Sequence, residues 1–259
     1  MKHLLFVLIL LSSVASAQTP DTLVFAALKA PAVTTEERYP DPSPRNSSVA
    51  SYIAPAVFLG YGFFALDNNL LRRVDRSVYN DMQEDHPGFR TTVDNYLQYS
   101  PLIATYALNM SGIKGKNKIV DQTALAFLSL AVAKGSAWAL KDQIRQLRPN
   151  RASYSSFPSG HTTTAFAAAE IMNQEFGDRS VWYGVAAYSA ATATGILRVY
   201  NNAHWFSNVI AGAGLGILSV KATYAVYPHL KNLLKKNTNV SMTPFYADRA
   251  TGVSITARF

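Results

Sequence analysis

The stretch Ser156-Phe157-Pro158-Ser159-Gly160-His161-Thr162-Thr163-Thr164-Ala165-Phe166-Ala167-Ala168-Ala169 decides how this chain is read. A Ser-Gly turn after proline opens a run of small and apolar residues, so Ser159 reads as the cap of a helix. The first N–H groups of such a helix find no partner within it. Together with the positive end of the helix dipole they make an anion site that needs no metal. His161 stands at the mouth of that site.

On either side, apolar, alanine-rich segments recur at 51–66, 98–112, 120–141, 161–174, 181–198 and 206–224, parted by polar or Gly/Pro-bearing turns. They predict an all-α fold, a six-helix core bundle in a chain of 259 residues. The interval Arg72 to Tyr96 is polar and acidic (Asp75, Asp81, Glu84, Asp85, Asp94) and predicts a short amphipathic helix or a covering loop. Period-2 alternation over Val240 to Tyr246 and Gly252 to Phe259, around a turn near Asp248, predicts a short C-terminal β-hairpin.

The first residues, Met1-Lys2-His3, then an apolar run from Leu4 to Leu11 and Ala15-Ser16-Ala17, have the pattern of a cleavable secretory signal at 1–17. Residues 18–50, with Pro20, Pro31, Pro40, Pro42 and Pro44, read as an extended leader. The helical domain is expected over 51–230 and the tail over 231–259. No cysteine occurs, so an exported protein of this sequence is held by packing without disulfides. The net charge of +8 is spread along the chain, which argues for a basic soluble protein and against a nucleic-acid partner.

The apolar runs reach about 11 to 17 residues, short of the roughly 20 that a membrane span requires. With the signal removed, three crossings before Lys141 would also leave the basic cluster at Lys141 to Arg151 in the cytoplasm. The expectation is a periplasmic bundle, soluble or resting on a membrane surface.

Two further stretches carry chemistry. In Lys141-Asp142-Gln143-Ile144-Arg145-Gln146-Leu147-Arg148-Pro149, Lys141 closes a helix and Arg148 sits in an extended residue before proline. In Arg198-Val199-Tyr200-Asn201-Asn202-Ala203-His204-Trp205-Phe206-Ser207-Asn208, Arg198 ends one helix, and the spacing of four from His204 to Asn208 lets Asn208 reach the imidazole. His3, His86 and His229 have no neighbours at metal-ligand spacing, so no metal is expected.

Taken in order, these pieces resemble the three-part signature of the type 2 phosphatidic acid phosphatase and vanadium haloperoxidase superfamily, K-x6-RP, PSGH and SR-x5-H-x3-D. Lys141, Arg148, Pro149, Pro158, Ser159, Gly160, His161, Arg198 and His204 match it. The resemblance implies a helical bundle with its site at one end, where Lys141, Arg148, Ser159, Gly160 and Arg198 hold phosphate oxygens. It implies that His204 attacks phosphorus and that His161 protonates the leaving group and then activates water. Leu197 stands where the family has serine, and Asn208 where it has the aspartate that orients the nucleophile. Asn208 can accept a hydrogen bond but brings no charge.

Three functions follow from that pattern. One is a metal-independent phosphatase acting on a phosphate monoester or diphosphate, of a lipid or of a small molecule: a phospholipid, lipid A or a polyprenyl diphosphate. The second is a catalytically weakened protein that binds phosphate or lipid phosphate, in which Asn208→Asp would raise the rate. The third is a haloperoxidase with vanadate in the phosphate cradle; otherwise vanadate is expected only as a phosphate mimic.

Overall fold

A computed structural model describes residues 49–67, 70–237, 239–247 and 250–258. The expected signal at 1–17 and nearly all of the leader lie outside the described residues. Among these residues are eight helices: α1 (Ala50–Phe64), α2 (Leu70–Asp85), α3 (Val93–Leu97), α4 (Ser100–Met110), α5 (Ile119–Ile144), α6 (Gly160–Phe176), α7 (Val181–Tyr200) and α8 (Phe206–Asn237). The six expected core helices correspond to α1 and α4 to α8. The acidic interval supplies the amphipathic α2 and the single turn of α3. Strands β1 (Asn239–Ala247) and β2 (Ala250–Arg258) pair antiparallel, Val240 opposite Ala257 and Tyr246 opposite Thr251, as the alternation predicts.

Local signals set the helix limits. Ser159 and Ser180 cap α6 and α7, each side chain accepting a backbone N–H of the first turn. Pro101 occupies the first turn of α4, where its missing N–H is not needed. Arg145, at φ 48°, takes the left-handed conformation that ends α5 and turns the chain toward Arg148.

α6 is the central element, enclosed by α4, α5, α7 and α8, while α1 packs on the other side of α8. The core is built from small residues: Ala165, Ala169, Ala187 and Ala191 with Met172 and Phe176, and Ala126, Ala133 and Ala167 with Ile171 and Val220. Helices that meet through alanine and glycine can approach closely. A Cβ on Gly214 would stand 2.4 Å from Pro55 O of α1, and one on Gly216 2.4 Å from Thr163 O of α6. Both obstacles are backbone and cannot rotate away. Gly216→Ala is therefore expected to force α8 from α6 at a cost of about 3 kcal/mol. Calorimetry should show Tm lower by roughly 6–12 °C.

One expectation is overturned. Judged by unbroken apolar runs, no segment was long enough to span a membrane, yet α5 and the Phe206–Leu233 part of α8 are long and apolar enough to do so by length and composition. Isolated polar residues interrupt the apolar runs without ending the helices. Lys134 lies inside α5 and Lys221 inside α8, and neither ends its helix. Large apolar side chains also point outward from the bundle: Phe127 and Trp138 on α5 and Trp182 on α7 are each more than 70% exposed.

Candidate active site

The three signature stretches meet where α5 and α7 end and α6 and α8 begin. Lys141, in the last turn of α5, donates from Nζ to the carbonyls of Ser155 (2.8 Å) and Pro158 (2.5 Å), lashing the Pro-Ser-Gly turn to that helix end. Two of its three protons are thereby used and one remains. Trp205 Nε1 donates to Leu147 O at 2.8 Å, and Asn150 N to Asn202 O at 3.1 Å, joining the loops after α5 and α7.

Arg148 and Arg198 flank this turn. Arg198 Nη1 donates to Asp94 Oδ2 at 2.5 Å, and Asp94 is buried on α3. The Nε atoms of both Arg148 and Arg198 are buried without a hydrogen-bond partner. Buried unpaired donors are costly, so two in adjacent guanidinium groups mark a place for an anion. The N–H groups of Gly160 and His161, first in α6, likewise have no partner among the described residues.

Ser159 is placed differently from the expectation. Its N–H donates to Asn208 O (3.0 Å), and its buried hydroxyl oxygen accepts from the Thr162 hydroxyl (2.9 Å) and backbone N–H. The Ser159 backbone is therefore not free for phosphate, because it is spent on seating α6 against α8.

His204 lies in the loop before α8 and is 2% exposed. Its Nδ1 is 2.7 Å from Ser156 O. A carbonyl can only accept, so Nδ1 carries the proton and Nε2 keeps its lone pair. The expected contact from Asn208 is not made. The Asn208 amide bonds Ser156 Oγ at 2.6 Å and Ser207 Oγ at 3.3 Å, because α8 turns its side chain into the core rather than back over the loop. Spacing of four implied a shared helical face, but His204 precedes the helix.

Residues 122–231 match the PAP2 superfamily, over the span that holds the Lys141, His161 and His204 stretches. Over that span the chain is similar to the type 2 phosphatidic acid phosphatase superfamily. The chain is also 43% identical over 131 residues to a lipid A 1-phosphatase of Porphyromonas gingivalis, covering 50% of this chain and 29% of that protein. Two solved structures are similar. LpxE of Aquifex aeolicus has a TM-score of 0.44 at 18% identity, covering 59% of this chain and 93% of that one. The first transmembrane PAP2-type phosphatidylglycerolphosphate phosphatase from Bacillus subtilis has a TM-score of 0.48 at 16% identity, covering 68% and 97%.

In this site the cations press on both imidazoles. Burial, then Arg198, Arg148 and Lys141, lower His161 to about 4, against a partial lift from Asp94. Burial first and the same three cations hold His204 well below its ordinary value, while the Ser156 carbonyl acts the other way. Burial and Arg198 also lower Arg148. Both histidines are thus neutral at pH 7 in the free protein.

The sign of the resulting pH dependence is fixed. The unfolded chain takes up these protons near 6.5, whereas folded His161 does so only near 4 and folded His204 only well below its ordinary value, so stability present above 6.5 is lost as pH falls through the range of the folded groups. Thermal unfolding between pH 7 and 4 should show that loss, shallower in His161→Asn and in His204→Asn. Inorganic phosphate should flatten it too, because a bound anion offsets the cations.

Two positions near the site carried no signal in the sequence. Asn95 Oδ1 lies 2.7 Å from His161 Nε2, and Asp94 pairs with Arg198. Both come from α3, and a lone Asp-Asn in a polar interval resembles any solvated turn.

Proposed function

We propose that this protein is a phosphatase that hydrolyses a phosphate monoester of a membrane lipid through a phosphohistidine at His204. The observation that carries the reading is the buried His204 imidazole, its Nδ1–H held by Ser156 O and its Nε2 lone pair left available, beside two arginines with unpartnered Nε donors. His204 Nε2 attacks phosphorus as the P–O bond to the leaving alkoxide breaks, and His161 gives that oxygen its proton. Water, losing a proton to His161, then attacks the phosphohistidine, releasing inorganic phosphate and restoring the free imidazole. Arg148, Arg198, the third proton of Lys141 and the N–H groups of Gly160 and His161 stabilise the equatorial oxygens. A dianionic substrate raises the His161 pKa from about 4, which supplies the general acid in the complex.

The donors facing the anion are cations and N–H groups, which attract phosphate and repel a metal ion, so turnover is expected to persist with a chelator. Vanadate would occupy the same cradle as a phosphate mimic.

Several features support a lipid substrate. A cleft of about 810 Å³ opens from Arg148 and Arg198 and is lined by Gln83, Arg90, Asn150 and Asn202 with Tyr79 and Phe89. Amides, an arginine and aromatic faces suit a hydroxyl-bearing headgroup such as a phosphorylated sugar, in keeping with the lipid A 1-phosphatase relative. The outward-facing Phe127, Trp138 and Trp182 support association with a membrane. Phe157, in the Pro-Ser-Gly turn, does not add to this, being fully buried against Phe63.

A weakened, phosphate-binding protein is the second reading, and its ground was the lost charge at Asn208. What favours the first is that the imidazole donates its hydrogen bond to the Ser156 carbonyl and not to the side chain at position 208. The test is phosphate release from an aryl phosphate, a phospholipid phosphate and lipid A, with chelator present. Turnover with preference for a lipid is expected. Absence of turnover on all three, with activity appearing in Asn208→Asp, would establish the second reading instead.

A further inference from the structure

The nucleophile's surroundings include a carboxylate that lies outside both the signature and the 122–231 match. Asp75 on α2 is 1% exposed, and its partners lie in the segment that follows His204. Ser207 N donates to Asp75 Oδ1 at 2.8 Å and Ser207 Oγ to Oδ2 at 2.7 Å, while Arg72 Nη1 donates to Oδ2 at 3.0 Å. From Ser207 the chain of contacts continues through the Asn208 amide to Ser156, whose carbonyl holds His204 Nδ1.

The direction of these bonds can be worked out. Ser207 Oγ has one proton, and the carboxylate, an acceptor only, takes it. Ser207 can then only accept from Asn208. The structure has the Asn208 oxygen toward Ser207 and its NH2 toward Ser156; all partners are satisfied when the amide is flipped, so that NH2 donates to Ser207 and the Ser156 hydroxyl donates to the amide oxygen. A row of aligned dipoles then runs from Ser156 to a buried negative charge, and such rows polarise one another in a low-dielectric interior.

We propose that Asp75 is the positioning carboxylate of the nucleophilic imidazole, supplying from α2 the charge that Asn208 lacks. The proposal rests on the phosphatase reading. α2 grips the same loop elsewhere: the Arg72 guanidinium lies 4.1 Å from the Trp205 ring centre, and Tyr79 packs on that ring at 5.7 Å. The clamp fixes Ser156 O where it accepts from Nδ1 and turns Nε2 to the phosphate. It touches no substrate, so its loss acts on the step rather than on ground-state binding.

The test transposes the charge. Asp75→Asn is expected to lower kcat on the order of 10²-fold, with KM within about twofold. Asn208→Asp alone should give no gain, since it sets a second carboxylate against Ser207. Asp75→Asn combined with Asn208→Asp should recover about tenfold or more of the lost kcat, the charge being restored one link along. Ser207→Ala keeps the backbone bond to Asp75 but cuts the hydroxyl link, and should lower kcat without unfolding α8.

Calorimetric binding of vanadate, a phosphate mimic that the His204 imidazole would ligate, and of inorganic phosphate gives a readout independent of turnover. Vanadate should bind Asp75→Asn about tenfold or more weakly, and phosphate nearly as in wild type. Retention of vanadate affinity in both Asp75→Asn and Ser207→Ala would reduce Asp75 to a helix cap and overturn the proposal. So would a transposed double variant no better than Asp75→Asn. A wild type that binds vanadate in this Asp75-dependent way but turns over no phosphate ester would overturn the phosphatase reading alone.

Discussion

His204→Ala is expected to abolish phosphate release, by on the order of 10⁵-fold, because it removes the atom that forms the covalent intermediate rather than one that assists it. The geometry leaves little room for a substitute nucleophile. His161 sits on the first turn of α6 with Nε2 bonded to Asn95, and Ser159 is locked into the α6 cap. Wild type mixed with a labelled lipid phosphate and quenched in alkali should carry label on the protein that acid removes, the behaviour of a phosphoramidate. With a labelled aryl phosphate, whose leaving group departs without a proton, His161→Ala should accumulate that label, since it deprives the second half-reaction of its base. His204→Ala should carry none. Label that persists in His204→Ala, or turnover above about a hundredth of wild type, would assign the attack to another group.

The sequence reached the helix count of the core and the ends at which the signature residues lie because those signals are local. A capping serine and a run of alanines act within one turn of helix, so Ser159 declares itself. Lys141, Arg148, His161, Arg198 and His204 are brought together as the resemblance implied. What stayed hidden is carried by tertiary contacts. Asp75 and Asp94 were visible only as members of an acidic interval, and nothing in their spacing tells that one meets Ser207 and the other Arg198, more than a hundred residues on.

Asn208 shows the opposite error. Its spacing from His204 is right for a shared helical face, but α8 starts at Phe206, so the four-residue rule does not hold between them. Helix length was misjudged for a related reason. Hydropathy runs break at Lys134 and Lys221, whereas the helices do not: Lys221 finds Glu170 Oε1 at 3.2 Å and stays in α8. Whether a cation ends an apolar segment depends on the partner it meets across the bundle, which sequence order does not show.

Arg198→Ala is expected to damage activity and stability together, and the two losses can be separated. Its guanidinium does two jobs. Nη1 neutralises Asp94, whose side chain is 1% exposed, while the buried Nε has no partner and is left for the anion. Deleting it removes a donor to the transferring phosphoryl group, for a fall of roughly 10²–10³-fold in kcat. It also strands a buried carboxylate, at about 3–5 kcal/mol of stability. Asn201 Nδ2, 3.3 Å from Asp94 Oδ1, cannot replace a charge. In the double variant Arg198→Ala with Asp94→Asn no charge is left unpaired, so denaturant unfolding should return most of the lost stability while kcat stays low. Arg198→Lys should keep Asp94 paired and the fold intact, yet recover only part of kcat, because an ammonium cannot bridge carboxylate and phosphate as a planar fork does. Equal recovery of stability and activity in the double variant would mean that Arg198 serves the fold alone, with the phosphoryl charge carried by Arg148 and Lys141.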